Sequence, residues 1–119
     1  MIYDKIPGLN AEMLLDLYED TEDIFLAVLR SWLNDTSSYI NKLANVSAET
    51  LKDYCVAIHG LKGTSASIGA ESISQKAKKL EAMAKAGDLA GVQAQNESLL
   101  KEVDAMVKTI QNWLAQNKL

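Results

Sequence analysis

The chain has 119 residues, with 16 acidic and 12 basic side chains, a formal net charge of −4 and 48% hydrophobic residues, enough to bury a core as one domain, residues 1–119, without metals or disulfides. Its one cysteine excludes an internal disulfide and suits a reducing compartment. No stretch approaches the roughly 18 apolar residues of a membrane span, no basic run beyond QKAKK invites nucleic acid, and no glycine-rich phosphate loop supports nucleotide binding.

The opening MIYDKIPG lacks the basic and apolar regions of a secretion signal, so the expected location is the cytoplasm, with no direct membrane contact. Pro7 is the only proline and precedes the first expected helix, so nothing downstream is barred from being helical. The rest reads all-α. Asn10 is placed to cap a short helix over 11–17, in which Met13, Leu14 and Leu17 share a face. Asp20 or Thr21 opens a longer helix over 22–44 with Phe25, Val28, Leu29, Trp32, Tyr39 and Leu43 as its main stripe. Thr36, Ser37 and Ser38 weaken its middle and favour a bend. Ser47 is placed to cap a helix over 48–68, and Gly69 to end it in a left-handed conformation.

A fourth helix over 71–86 turns Ile73, Ala77, Leu80 and Ala84 inward, and Gly87 followed by Asp88 is a stop and a start in two residues. The last helix, 89–116, keeps a heptad-like seam through Val92, Asn96, Leu99, Val103, Met106, Ile110 and Trp113. The expected fold is an antiparallel up-and-down four-helix bundle, with the short additional N-terminal helix as a lid at one end.

The third helix carries the only histidine, His59. Leu51, Tyr54, Cys55, Ile58, Leu61, Ser65 and Ile68 form its apolar stripe. At about 100° per residue His59 lies roughly 125° from that stripe, beside Cys55, Lys62, Gly63, Ala66 and, further round, Val56 and Ser67. The imidazole is therefore expected to reach solvent. Gly60 and Gly63 each cost a helix interior about 1 kcal/mol relative to alanine, and close approach of another molecule's backbone would explain them.

The run AIHGLKGTSASIGA, followed by a lysine-rich helix ending in LEAMAKAGD, resembles the histidine phosphotransfer (HPt) domains of bacterial phosphorelays. Their pattern is approximately A-H-x-L-K-G-[ST/A]-[SA]-x-x-[IL]-G-A with a later L-E. His59, Leu61, Lys62, Gly63, Ser65, Ala66, Ile68, Gly69, Ala70, Leu80 and Glu81 fall in register. The opening IPGLN and the later FLAVLRSW are similar to the start of HPt modules at the C-terminal ends of hybrid sensor histidine kinases, so the resemblance covers nearly the whole chain. It implies that His59 accepts a phosphoryl group from a receiver-domain aspartate and passes it to another. The partners would be response-regulator receiver domains, with a hybrid sensor kinase as a second candidate, and the chain would be either a free-standing cytoplasmic protein or the cytoplasmic portion of a membrane-anchored kinase. Mg²⁺ would come with the receiver, and the module would be a phosphocarrier with no cofactor, metal or kinase activity of its own.

A neutral imidazole is a good nucleophile near its reference pKa of about 6.5, and transfer needs an exposed ring, one unprotonated nitrogen and nearby positive charge. Lys62 is placed to supply that charge. Glu81 has two readings: accepting the Nδ1 proton to leave Nε2 free, or a structural pairing with Lys85 or Lys78. Lys85 is either near the phosphate or simply a last-turn lysine answering the helix dipole. Gly60, Gly63, Ala66 and Ser67 form the face for close approach of a partner, and Met13, Leu14 and Phe25 are candidates for an exposed apolar docking patch, each of them equally suited to the core. A Cys55–His59 dyad lacks a third orienting group, one histidine and one cysteine cannot close a zinc tetrahedron, and Trp32, Trp113 and the methionines read as core. Two other functions remain open. One is an inert helical adaptor using the same small-residue face, and the other is the HPt module of a chemotaxis-type kinase, against which the IPGLN opening counts.

Overall fold

Chain punctuation sets most helix boundaries in the computed structural model, which describes residues 2–119. After a 3-10 turn at Ile2–Asp4, the helices are α1 (Ala11–Tyr18), α2 (Glu22–Ala44), α3 (Leu51–Ser67), α4 (Glu71–Lys85) and α5 (Leu89–Gln116). Asn10 caps α1, its side-chain oxygen accepting from the Met13 N–H at 3.0 Å. Asp88 caps α5 in the same way through the Gly91 N–H at 2.9 Å. Gly69 and Gly87 take φ of +75° and +74°, the left-handed geometry that closes a helix without a Cβ clash.

One boundary departs from the sequence reading by more than a single residue. The Thr50 hydroxyl accepts from the Ser47 N–H at 2.8 Å, and the two side chains also contact each other. This local bonding competes with helix formation, so α3 begins at Leu51, three residues later than the cap at Ser47 predicts. In α2 the Thr36–Ser38 run leaves the helix continuous, with the Ser37 hydroxyl turned back onto the Asn34 carbonyl at 2.8 Å.

The four long helices each pack on two neighbours, α2 on α3, α3 on α4, α4 on α5 and α5 back on α2. Joined by short connections, they form the antiparallel up-and-down bundle, 44 × 25 × 18 Å overall. Trp32, Tyr54, Leu29, Ile58, Leu61, Leu80 and Leu99 fill its core. No described helix is long and apolar enough to cross a membrane.

Two polar residues on core stripes have specific partners. Ser65 accepts the Trp32 indole N–H at 3.1 Å. Asn96 accepts from the Tyr54 hydroxyl at 2.8 Å and donates to the Leu43 carbonyl at 2.7 Å, near the end of α2. Each satisfies a group whose burial would otherwise be costly.

The lid α1 is tied to the α3–α4 turn. The Asn10 N–H donates to the Gly69 carbonyl at 2.8 Å, and the Tyr18 hydroxyl donates to the Ser67 carbonyl at 2.7 Å. This docking takes Leu14 and Phe25 out of the exposed apolar patch and puts them in the core, the alternative their spacing equally allowed. Leu14 is buried against Gly69, and Phe25 is enclosed by the Tyr3 and Tyr18 rings, each with its centroid 5.3 Å away. Met13 is half-buried. The large apolar side chains left exposed at this end are Leu15, Leu17 and Ile24.

Replacing Asn96 with leucine strips the Tyr54 hydroxyl and the Leu43 carbonyl of their partner, and is expected to lower stability by about 2–4 kcal/mol. Urea denaturation checks this, and Asn96→Leu combined with Tyr54→Phe should recover part of the loss, since one orphaned group is then gone.

Candidate functional site

α3 turns Tyr54, Ala57, Ile58, Leu61 and Ser65 into the core, which leaves His59 on the opposite side with its side chain 65% exposed. The ring is nonetheless fixed in place. Its Nδ1 lies 2.6 Å from Oε2 of Glu81 on α4. The other carboxylate oxygen, Oε1, accepts from the Lys62 ammonium at 2.7 Å, and Lys85, one turn on from Glu81, approaches Oε2 at 3.5 Å. The two helices are further joined there by the Ser74 hydroxyl, which donates to the Lys62 carbonyl at 3.0 Å.

Glu81 itself is only 4% exposed. Burial alone would push its pKa up. The Lys62 hydrogen bond outweighs that and, with the His59 hydrogen bond and both charges, holds the carboxyl down to about 2. An ionised carboxylate has no proton to donate, so the contact requires the hydrogen on Nδ1. In the neutral ring Nε2 then carries the lone pair.

Both sequence readings of Glu81 therefore coexist, since one carboxylate accepts the Nδ1 proton and pairs with Lys85. Lys78 forms no ion pair with it among the described residues. Lys62 is placed differently from expectation: its ammonium lies on Glu81, so its charge first neutralises the carboxylate beneath the ring.

The glycines separate by environment. A Cβ on Gly63 would meet nothing within 4 Å, so this position is open to solvent. Ala66 beside it is exposed and Ser67 half-buried, the Ser67 hydroxyl folded back onto the Gly63 carbonyl at 3.2 Å. That leaves a low surface along the helix below His59. A Cβ on Gly60, in contrast, would stand 2.7 Å from the Tyr39 hydroxyl. Close approach does explain this glycine, but the approaching group belongs to α2 of the same chain. Tyr39 and Lys42 stand with His59 along a groove of about 560 Å³ between α2 and α3. Sequence reasoning assigned Tyr39 only to a core stripe, although the mid-helix glycine at 60 was the available signal.

A surface histidine held by a buried carboxylate in a four-helix bundle defines a nucleophile-bearing helical module. The chain belongs to the Hpt domain family, the histidine phosphotransfer modules, whose model matches residues 12–113; such a domain is a phosphocarrier rather than a kinase. Over 109 residues the chain is 27% identical to the phosphorelay intermediate protein rdeA of Dictyostelium discoideum, a match covering 87% of this chain and 43% of that protein. The chain thus spans less than half the length of that relative. No solved structure gives a significant match.

The Glu81 carboxylate makes a prediction about acid stability. A folded-state pKa of about 2 against an ordinary 4.5 means that its contribution is fully present above about 4.5 and is lost as pH falls toward 2. Glu81→Gln is expected to be less stable than the parent at neutral pH, and the gap should narrow by about pH 3. Urea unfolding of both proteins at the two pH values measures it; an equal gap at both would show that the carboxylate's charge is not its source.

Proposed function

We propose that Nε2 of His59 takes a phosphoryl group from the aspartyl phosphate of one receiver domain and passes it to the aspartate of another. The observation that carries this reading is the Nδ1–Glu81 contact, which puts a hydrogen on Nδ1 and so makes Nε2 the nitrogen that bears the lone pair in the neutral form of an exposed ring. In the forward step the Nε2 lone pair forms the N–P bond, the acyl O–P bond breaks, and the receiver's carboxylate leaves. No proton need move, because Nδ1 keeps its hydrogen on Glu81. The ring becomes cationic as the N–P bond forms, and Glu81 lies against that charge, as the carboxylate does in a nucleophilic triad. Lys62 and Lys85 offset the repulsion that Glu81 alone would exert on the incoming oxygens. Mg²⁺ comes with the receiver, and the module catalyses no phosphorylation from nucleotide.

Receiver domains are the partners in this reading, with a hybrid sensor kinase as one source of a receiver, and the cytoplasm is the compartment. The likeness to rdeA, a phosphorelay intermediate, supports it. The low surface of Gly63, Ala66 and Ser67 is the approach path, since a receiver's active-site loops must come within bonding distance of Nε2.

Incubation with a phosphorylated receiver tests the reading. The parent should acquire an acid-labile, base-stable phosphate, and His59→Gln should stay folded yet acquire none, because an exposed ring leaves no cavity when removed. Labelling of the variant at the parent's rate would remove His59 from the mechanism, and absence of label on the parent would return the chain to the inert-adaptor reading.

Gly63→Gln separates docking from chemistry. The open position accepts a side chain, and glutamine favours helix over glycine by roughly half a kcal/mol or more. The variant should melt no lower than the parent yet take phosphate from a receiver at least about tenfold more slowly, a displacement of about 1 Å being enough for such losses. Labelling by phosphoramidate, a small donor, should be much less affected.

A further inference from the structure

The donors around His59 divide into two sets. On the α4 side, Lys62 and Lys85 are already engaged by Glu81. On the α2 side, two donors have no protein acceptor among the described residues. The chain has four tyrosines, and the hydroxyls of Tyr3, Tyr18 and Tyr54 donate to protein oxygens at 2.7, 2.7 and 2.8 Å. The Tyr39 hydroxyl has no such acceptor among the described residues, although it is held over Gly60, the residue next to His59, at a distance only glycine permits. Lys42, one turn further along α2, forms no ion pair among the described residues. Both side chains line the groove that His59 also lines. The groove's carboxylate is Asp53, six residues before His59 and so about 9 Å away along the helix axis.

The ring's orientation connects this groove to the chemistry. Nδ1 is pinned toward α4, and the two nitrogens face outward on opposite sides of the imidazole, so Nε2 is directed away from α4. A phosphoryl dianion on Nε2 brings three strong acceptor oxygens to that side. While a receiver is docked, the receiver serves them; once it leaves, only this chain and water can.

We propose that the Tyr39 hydroxyl and the Lys42 ammonium are the α2-side wall of the phosphoryl site, donating to the free oxygens of the phosphoryl group on Nε2 of His59 between its arrival and its departure. This rests on the reading of His59 as the phosphate carrier. It also gives Gly60 its chemical purpose: the missing Cβ is what lets a hydroxyl stand beside the nucleophile.

The test is a ³¹P NMR pH titration of the full chain after labelling with phosphoramidate. Donors to the phosphoryl oxygens favour the dianion and hold its protonation midpoint down. Tyr39→Phe keeps the ring packed over Gly60 and changes no charge, and it should raise the midpoint by about half a unit, a roughly threefold change in proton affinity. Lys42→Gln should raise it by a similar amount, Lys42→Arg should leave it near the parent's value, and the Tyr39→Phe/Lys42→Gln pair should exceed either alone. Lys101→Gln, on exposed α5, is the control for net charge. Unmoved midpoints in both single variants, or a Lys42→Gln shift no larger than that of Lys101→Gln together with an unmoved Tyr39→Phe, would overturn the proposal while His59 remained the carrier. A parent that phosphoramidate does not label at His59 would overturn both.

Discussion

An ionised carboxylate buried to 4% exposure is unstable unless its oxygens are paired, and everything at the surface of this bundle's active face follows from how Glu81 is paired. Three donors from two helices converge on it: the Lys62 ammonium, the His59 ring and the Lys85 ammonium. Two of them, Lys62 and His59, reach across from α3 to the same carboxylate on α4, and the Ser74 bond to the Lys62 carbonyl reinforces that register of the two helices. The same contacts fix the tautomer of an otherwise exposed histidine and leave a net positive set of charges beneath it. Structural and chemical roles are therefore not separable at Glu81.

The two glycines of α3 show how similar sequence features serve opposite ends. Gly63 faces outward with nothing near its missing side chain, so no contact within the molecule requires its smallness. Gly60 faces a neighbour in the same bundle, and its smallness admits the phenol of Tyr39. Around them the helix keeps its profile low by folding hydroxyls inward: Thr64 donates to the Gly60 carbonyl at 3.1 Å and Ser67 to the Gly63 carbonyl at 3.2 Å. A helix can thereby carry polar side chains without raising them above its surface.

Polar links elsewhere in the fold tie the helices that carry this face to one another. Trp32 bonded to Ser65 ties α2 to α3 below the histidine, and the Tyr54–Asn96–Leu43 chain of hydrogen bonds ties α3, α5 and the end of α2. Buried polar links of this kind select one rotational setting of each helix, which apolar stripes alone specify only loosely. The lid contributes at the other end of α3, where Asn10, Leu14 and Tyr18 hold the turn that carries the chain into α4. In doing so it buries apolar residues that its sequence would equally allow to face a partner.

By itself the sequence determined what is local and periodic. Caps at Asn10 and Asp88, left-handed glycines at 69 and 87, and the apolar stripes gave five helices nearly to their ends and put His59 on the exposed side of its own helix. Its one boundary error of more than a residue, at Ser47, came where side chains bond to a turn instead of to a helix. The tertiary structure decided everything that depends on which face of one helix meets which face of another. Glu81 lies 22 residues from His59 along the chain, and its carboxylate reaches Nδ1 only because of the rotation and register of α4. Leu14 and Phe25 went to the core, and Tyr39 came to stand over Gly60, for the same reason. A helix's periodicity states which residues share a side, but the depth, rotation and offset at which that side packs are settled by all four long helices together.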